Sequence, residues 1–200
     1  MTSSVKRERA LVVLPLLIPA VLAGGVVAAE AGSGAWLERD LRSAVATVLP
    51  DARVTDTNVR GRPWVMSRLD NRISTAYVDL AAGDGVVERR LLVQELDLDS
   101  GRAEHLRYFV TIPYAEGAAG TPVTDEVGAF TDRAKVNGTE VTYRARLSGG
   151  AIRVTTSSGP APRSVAAPAL DGMELAGEPS ATESGILVEL VSRDARMVRS

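Results

Sequence analysis

The apolar residues of this chain recur at three- and four-residue steps before Pro50 and at every second position after it. The first pattern covers residues 36–49, "WLERDLRSAVATVL", and predicts an amphipathic helix that begins at Ser33 or Gly34 and ends before Pro50. The apolar face of this helix consists of Trp36, Leu37, Leu41, Ala44, Val45, Val48 and Leu49.

The alternating pattern predicts strands near residues 54–59, 73–80, 86–98, 106–112, 151–156 and 186–191. Asn137-Gly138, between two alternating arms, predicts a tight hairpin, and the neighbouring residues Leu91 and Leu92 predict a bulge or bend. The Pro/Ala-rich residues 157–170 are predicted to be a loop or an extended connection, and residues 117–121 a flexible patch. A long helix followed by strands is typical of an α+β domain. We expect a curved antiparallel sheet that wraps around the helix and leaves an aliphatic trough between them.

A hydrophobic segment, residues 10–29, follows three basic residues near the N-terminus. As a helix it would extend about 30 Å, enough to cross the hydrocarbon core of a membrane. The basic flank predicts that the rest of the chain is exported. Because Ala29-Glu30-Ala31 has the form of a signal-peptidase site, residues 1–31 are either a cleaved signal peptide or an uncleaved transmembrane anchor. Residues 32–200 would then form one exported domain, outside the cytoplasmic membrane and either secreted, periplasmic or anchored.

Composition and charge exclude several classes of function. A net charge of −2 does not match the basic stripe of a nucleic-acid-binding protein. The absence of cysteine and the single histidine exclude disulfides, thiolate metal sites and two-histidine metal sites, and we predict neither metal nor cofactor. His105 is predicted to be solvated and not catalytic, because no nucleophile is recognisably paired with it. Asp97, Asp99 and Glu104 lack the spacing of a calcium loop and are predicted to form a polar strand end and turn.

The residues after Gly61, "RPWVMSRL", predict a helical turn that starts at Pro63. In one interpretation this turn only connects two strands and fills the end of the core. In the other it is an amphipathic lip at the mouth of the trough, because Trp favours lipid–water boundaries, Met fills irregular space and Arg binds phosphate. The candidate lipid-binding residues of the second interpretation are Trp64, Met66 and Leu69 at the entrance, Leu41, Val45 and Val48 on the helical wall, and Arg60, Arg62 and Arg68 at the phosphate.

The segment "VTDTNVRGRPWVMSRLDNRISTAYVDL" resembles the LmeA-type phospholipid-binding family of bacterial cell envelopes. The family pattern is a strand, then Gly-x-Pro-(Phe or Trp)-x-x-x-Leu, then a second strand. The matching positions are Gly61, Pro63, Trp64, Leu69, Ile73, Ala76, Val78 and Leu80. The resemblance implies an exported or membrane-anchored protein that binds phospholipid and supports envelope lipid or glycolipid assembly.

Two hypotheses from different classes follow. The first is a non-enzymatic, exported or anchored phospholipid-binding protein that holds acyl chains in the trough, with phospholipid and the membrane as its partners. The second is a membrane-tethered interaction module with a solid core, which stabilises an envelope biosynthetic enzyme. A hydrolase is not predicted, because the serines lie outside a Gly-x-Ser-x-Gly sequence.

Overall fold

The computed structural model describes residues 28–50, 52–61, 63–115, 118–170 and 172–197. The first helix, α1, covers residues 28–48 and therefore ends before Pro50 as predicted, but it begins ahead of Ser33 and Gly34. Alanines between residues 28 and 35 favour helix and offset the two glycines of this stretch. The helix runs unbroken across residues 31 and 32, the predicted domain boundary.

One short helix and twelve strands follow α1 in the described residues. Helix α2 is Trp64–Leu69, between β1 and β2. The strands are β1 Val54–Arg60, β2 Arg72–Leu80, β3 Glu88–Asp97, β4 Arg102–Ile112, β5 Gly120–Thr124, β6 Phe130–Val136, β7 Thr139–Ser148, β8 Ala151–Thr156, β9 Val165–Ala166, β10 Glu174–Leu175, β11 Ser180–Ala181 and β12 Ile186–Arg196.

The strands form two antiparallel sheets, so the predicted α+β class is confirmed. The first sheet has seven strands, in the order β1-β2-β3-β4-β12-β10, with β11 also paired to β12. The second sheet has five strands, in the order β5-β6-β7-β8-β9. At the junction, β10 and β11 lie beside β7 and β6.

Both the hairpin and the bulge that the sequence predicts fall on described residues, with opposite outcomes. Asn137 and Gly138 have φ angles of 49° and 78° and join β6 to β7, which confirms the hairpin. The bulge at Leu91 and Leu92 is wrong, because both residues pair regularly with β2 and β4. The flexible patch predicted for residues 117–121 begins outside the described residues and overlaps β5, which starts at Gly120.

An interruption of the pleat does occur in the first sheet, further along the strands. Along each strand every second residue faces inward, except at one point where two successive inward-facing residues are three positions apart. This step of three lies at the same level in four neighbouring strands. Glu95 on β3 and Asp194 on β12 have positive φ angles of 51° and 54° there. The steps are Ile73 to Ala76, Val93 to Leu96, Ala103 to Leu106 and Ser192 to Ala195. All four strands therefore change phase together, and their pairing continues in register on both sides.

One cluster of buried side chains connects α1 with both sheets. Its fully buried members include Leu37, Leu41 and Val45 of α1, Ile73, Leu91, Leu106 and Leu190 of the first sheet, and Ile152 of the second. We call the side of the first sheet that faces this cluster the inner face and the opposite side the outer face.

Most of the predicted signal or anchor segment, residues 10–29, lies outside the described residues. Among the residues that the structure describes, no helix is both long and apolar enough to cross a membrane.

Candidate functional site

Helix α2 forms where the sequence predicts a turn, directly after Pro63, which has an extended ψ of 135°. The amides of Met66 and Ser67 donate to the Pro63 carbonyl at 2.9 and 3.1 Å, so the first turn closes on the proline. No side chain of α2 itself caps the two preceding amides. Their acceptor comes from a different part of the chain.

The carboxylate of Glu30, on α1, caps α2. Its Oε1 accepts the backbone N–H of Trp64 at 2.5 Å, and its Oε2 accepts that of Val65 at 3.0 Å. A carboxylate bound to two amides at a helix start makes strong, charge-assisted hydrogen bonds. The position of α2 therefore depends on a residue that lies 34 positions earlier in the sequence.

Two ring contacts extend this attachment along α1. The indole of Trp64 lies directly over Gly34, so that a Cβ atom at Gly34 would be only 2.7 Å from Cζ3 of that ring. The guanidinium of Arg68 lies 5.2 Å from the centre of the Trp36 ring, a cation–π contact. The indole N–H of Trp64 reaches the Val59 carbonyl at 3.4 Å. Helix α2 is thus held against the start of α1 at both ends.

The remaining side of α2 is an exposed apolar surface. Leu69 is 74% exposed and Met66 is 48% exposed, whereas Ser67 is buried. Arg68 is also exposed, and its guanidinium lies toward α1, over the Trp36 ring. We call Met66, Arg68 and Leu69 the α2 surface. Met66 and Leu69 are two of the six large apolar side chains that are exposed among the described residues.

The residues predicted to form a helical wall face the core. Leu41 and Val45 are fully buried and Val48 is 7% exposed. All three belong to the continuous cluster that α1 shares with the sheets. A cavity of about 200 Å³ lies beside α1, between Ala44 and Leu96, and is lined by side chains other than these three.

The three predicted phosphate-binding arginines have different positions. Arg68 belongs to the α2 surface. Arg60, on β1, points to the outer face of the first sheet, where its guanidinium lies 5.3 Å from the centre of the Tyr77 ring. Arg62 lies outside the described residues. The structure therefore brings Trp64, Met66, Leu69 and Arg68 together on α2 and turns Arg60 to the outer face. The wall residues are buried in the core cluster, and of the α2 residues Trp64 packs against that cluster.

The outer face carries two adjoining cavities that sequence reasoning missed. One, of about 350 Å³, is lined by Tyr77, Leu92, Phe109 and Leu187 together with polar side chains. The other, of about 370 Å³, is polar and is lined by residues of β1, β2 and β3, and both cavities share Tyr77 and Arg90. We call them together the outer groove. The available signal was Tyr77, an aromatic residue at an outward position between buried Ala76 and Val78.

Ion pairs fix the polar side of the outer groove. Nε of Arg90 lies 2.6 Å from Oδ1 of Asp79, and Nη2 of Arg90 lies 3.5 Å from Oε1 of Glu88. The hydrogen bond to Asp79, with the nearby carboxylates, raises the pKa of Arg90. Arg60 donates from Nε to Oδ1 of Asn58 at 3.1 Å. These contacts orient Arg90 and Arg60 along the polar side of the outer groove.

The predicted polar turn near Asp97 is confirmed. Oδ1 of Asp97 accepts the N–H and the hydroxyl of Ser100 at 2.7 and 2.9 Å, and the backbone hydrogen bond lowers the pKa of Asp97. Among the described residues, no group of His, Asp and Glu side chains is arranged to hold a metal ion. His105 is exposed on β4, as predicted.

Comparisons of the chain with protein-family models, with curated proteins and with solved structures found no match.

Proposed function

We propose that this protein is a phospholipid-binding protein of the cell envelope, anchored in or exported across the cytoplasmic membrane, and that the α2 surface makes the lipid contact. The observation that carries the proposal is the position of this surface. It lies against the start of α1, and the hydrophobic segment of residues 10–29 ends one residue before Glu30.

The connection through Glu30 sets the distance to the membrane. If residues 10–29 occupy a bilayer, Glu30 lies at its surface, and α2 is bound to Glu30 by two hydrogen bonds. Met66 and Leu69 would then meet the boundary between headgroups and acyl chains, where apolar side chains gain most from burial. Arg68 would lie among the phosphates, which its guanidinium can bind in a bidentate manner.

The contact of Glu30 with α2 also supports retention of the N-terminal segment. Cleavage after Ala31 would remove the carboxylate that caps α2 and would leave the amides of Trp64 and Val65 without this acceptor. We therefore favour the uncleaved anchor over the cleaved signal peptide. The intact mass of the protein purified from membranes tests this directly, because cleavage would shorten the chain by 31 residues.

The proposal extends to acyl chains only if α1 and the first sheet separate. The simultaneous phase change in β2, β3, β4 and β12 supports a sheet that bends around α1. Leu41 and Val45 are fully buried between α1 and the sheet. If a trough opened, these side chains would lose contacts with the protein core and gain contacts with lipid. Such an exchange costs little when the new contacts are equally apolar.

A photocrosslinking experiment tests the α2 surface. A benzophenone amino acid at position 69 of the full chain, reconstituted in phosphatidylethanolamine–phosphatidylglycerol vesicles, should crosslink phospholipid. Val127 is the matched control, because it is an 88% exposed apolar residue in the turn between β5 and β6. Equal lipid crosslinking at both positions, or none at position 69, would contradict the proposed contact.

The second candidate is a membrane-tethered interaction module that positions an envelope enzyme. The full burial of Leu41 and Val45 favours it, because a solid core needs no lipid. Native mass spectrometry of the full chain, released from nanodiscs, distinguishes the two. A retained phospholipid mass favours the first candidate, whereas lipid-free protein together with a protein crosslink at position 69 favours the second.

A further inference from the structure

The outer groove has the properties of a preformed binding site for a small, polar ligand. It lies on the central strands of the first sheet, where hydrogen bonds on both sides of β2, β3 and β4 hold the backbone. It extends from Asp56 on β1 to Leu187 on β12, across four strand spacings, or roughly 19 Å. Sites on rigid strands are geometrically precise.

The floor of the groove is aromatic and aliphatic. Tyr77 is 37% exposed, and Leu92, Phe109 and Leu187 are half-buried beside it. Only two phenylalanines and four tyrosines occur in the whole chain, and one of each is in this groove. Aromatic rings provide flat apolar area that loses little conformational entropy when a ligand covers it.

The walls provide hydrogen-bonding groups whose charges nearly cancel. Asp56, Asp79 and Glu88 are opposed by Arg60 and Arg90. A strongly charged ligand would be repelled by the groove residues that carry the same sign of charge. A hydrocarbon chain would desolvate the carboxylates without offering them donors, which is unfavourable. The charged residues of the outer groove therefore favour a neutral ligand that carries both hydrogen-bond donors and hydrogen-bond acceptors.

We propose that the outer groove binds a neutral carbohydrate, at the length of a short oligosaccharide. The C–H face of a sugar ring is apolar and packs on Tyr77 and Phe109, while its hydroxyl groups donate to Asp79 and accept from Arg90. Each such hydrogen bond to a charged group is stronger than one to a neutral group. The groove lies on the outer face, away from the α2 surface, and this site does not depend on lipid binding.

Binding is tested with the full chain in phospholipid nanodiscs, because glycosidic detergents would compete for the groove. The probes are maltotriose, mannotriose and triacetylchitotriose, compared with the charged trimers trigalacturonate and chitotriose. We expect at least one neutral trisaccharide to bind in calorimetry, and more tightly than either charged trimer. Isotope-filtered NMR should show NOE contacts between sugar protons and the ring protons of Tyr77 and Phe109.

Variants assign the binding to the groove. Tyr77→Ala should weaken binding by about tenfold or more, whereas Phe130→Ala should leave it unchanged. Phe130 is the matched control, since it is a 52% exposed aromatic residue on β6 in the second sheet. Three outcomes would each overturn the proposal: no neutral trisaccharide binds, a charged trimer binds more tightly, or Tyr77→Ala and Phe130→Ala behave alike. The NMR contact in the unaltered protein decides the case if Tyr77→Ala does not fold.

Discussion

Gly34 should be the position in α1 where an added methyl group is harmful. Replacing glycine by alanine inside a helix normally stabilises a protein by about 1 kcal/mol, because alanine loses less backbone entropy on folding. At Gly34 this gain is opposed by a steric conflict. The new Cβ would lie 2.7 Å from Cζ3 and 2.9 Å from Cδ2 of Trp64, well inside contact distance.

The conflict can be resolved only by moving the indole or α2, since the obstructing atoms belong to a rigid ring. Overpacking of this kind typically costs about 1–3 kcal/mol. The net effect of Gly34→Ala should therefore be a loss of up to about 2 kcal/mol. Gly32 is the matched control: it lies two residues earlier in the same helix and has no atom within 4 Å of its Cβ position. Gly32→Ala should stabilise the protein by about 1 kcal/mol.

The measurement is chemical denaturation of the full chain, followed by tryptophan fluorescence, with both variants under the same conditions. Trp36 and Trp64 are the only tryptophans, and both lie at the contact in question. Trp64→Leu should reduce the cost of Gly34→Ala, because neighbouring substitutions of this kind are not additive. If Gly34→Ala stabilised the protein as much as Gly32→Ala, the packing of α2 on α1 would be refuted.

Three further predictions concern individual hydrogen bonds. Burial raises the pKa of Tyr114 to about 12, above its value near 10 in an unfolded chain, so the free energy of unfolding should fall as the pH rises from 10 towards 12. Tyr114→Phe should reduce this slope and, by removing the 2.7 Å bond to the Thr182 carbonyl, cost about 1 kcal/mol at neutral pH in denaturation experiments. Ser100→Ala removes one donor to Asp97 and should raise its pKa in a carboxyl NMR titration; an unchanged value would contradict the assigned bond. Glu30→Ala should lower stability by about 1 kcal/mol and speed hydrogen exchange in α2; unaltered exchange would disprove the cap.

Features that depend on neighbouring residues could be predicted from the sequence. The Asn137-Gly138 turn is determined locally, because both residues tolerate the positive φ angles that a two-residue hairpin needs. The same is true of the end of α1 before Pro50 and of the start of α2 after Pro63.

Features that depend on the second face of a sheet could not. The neighbouring residues Leu91 and Leu92 predict a bulge or bend if only one face of the sheet is apolar. Leu91 is fully buried on the inner face, whereas Leu92 lines the outer groove, so the strand stays regular. The composition of the candidate site also could not be predicted, because it depends on contacts between residues that are far apart in the sequence. Arg60 is close to the α2 residues in the sequence, but the alternation of β1 turns its side chain to the outer face. The sequence also gives no sign that Glu30 contacts α2.

The shared phase change in β2, β3, β4 and β12 has a consequence for folding. A regular strand can slide by two residues along its neighbour and still present its apolar side chains to the core. In this sheet, a strand that slid by two residues would no longer have its step of three at the same level as the step on its neighbour. Polar residues of that strand would then point toward the core. The shared step of three therefore helps to specify the register of these four strands. Deletion of Glu95 alone should destabilise the protein more than deletion of one residue in an exposed turn.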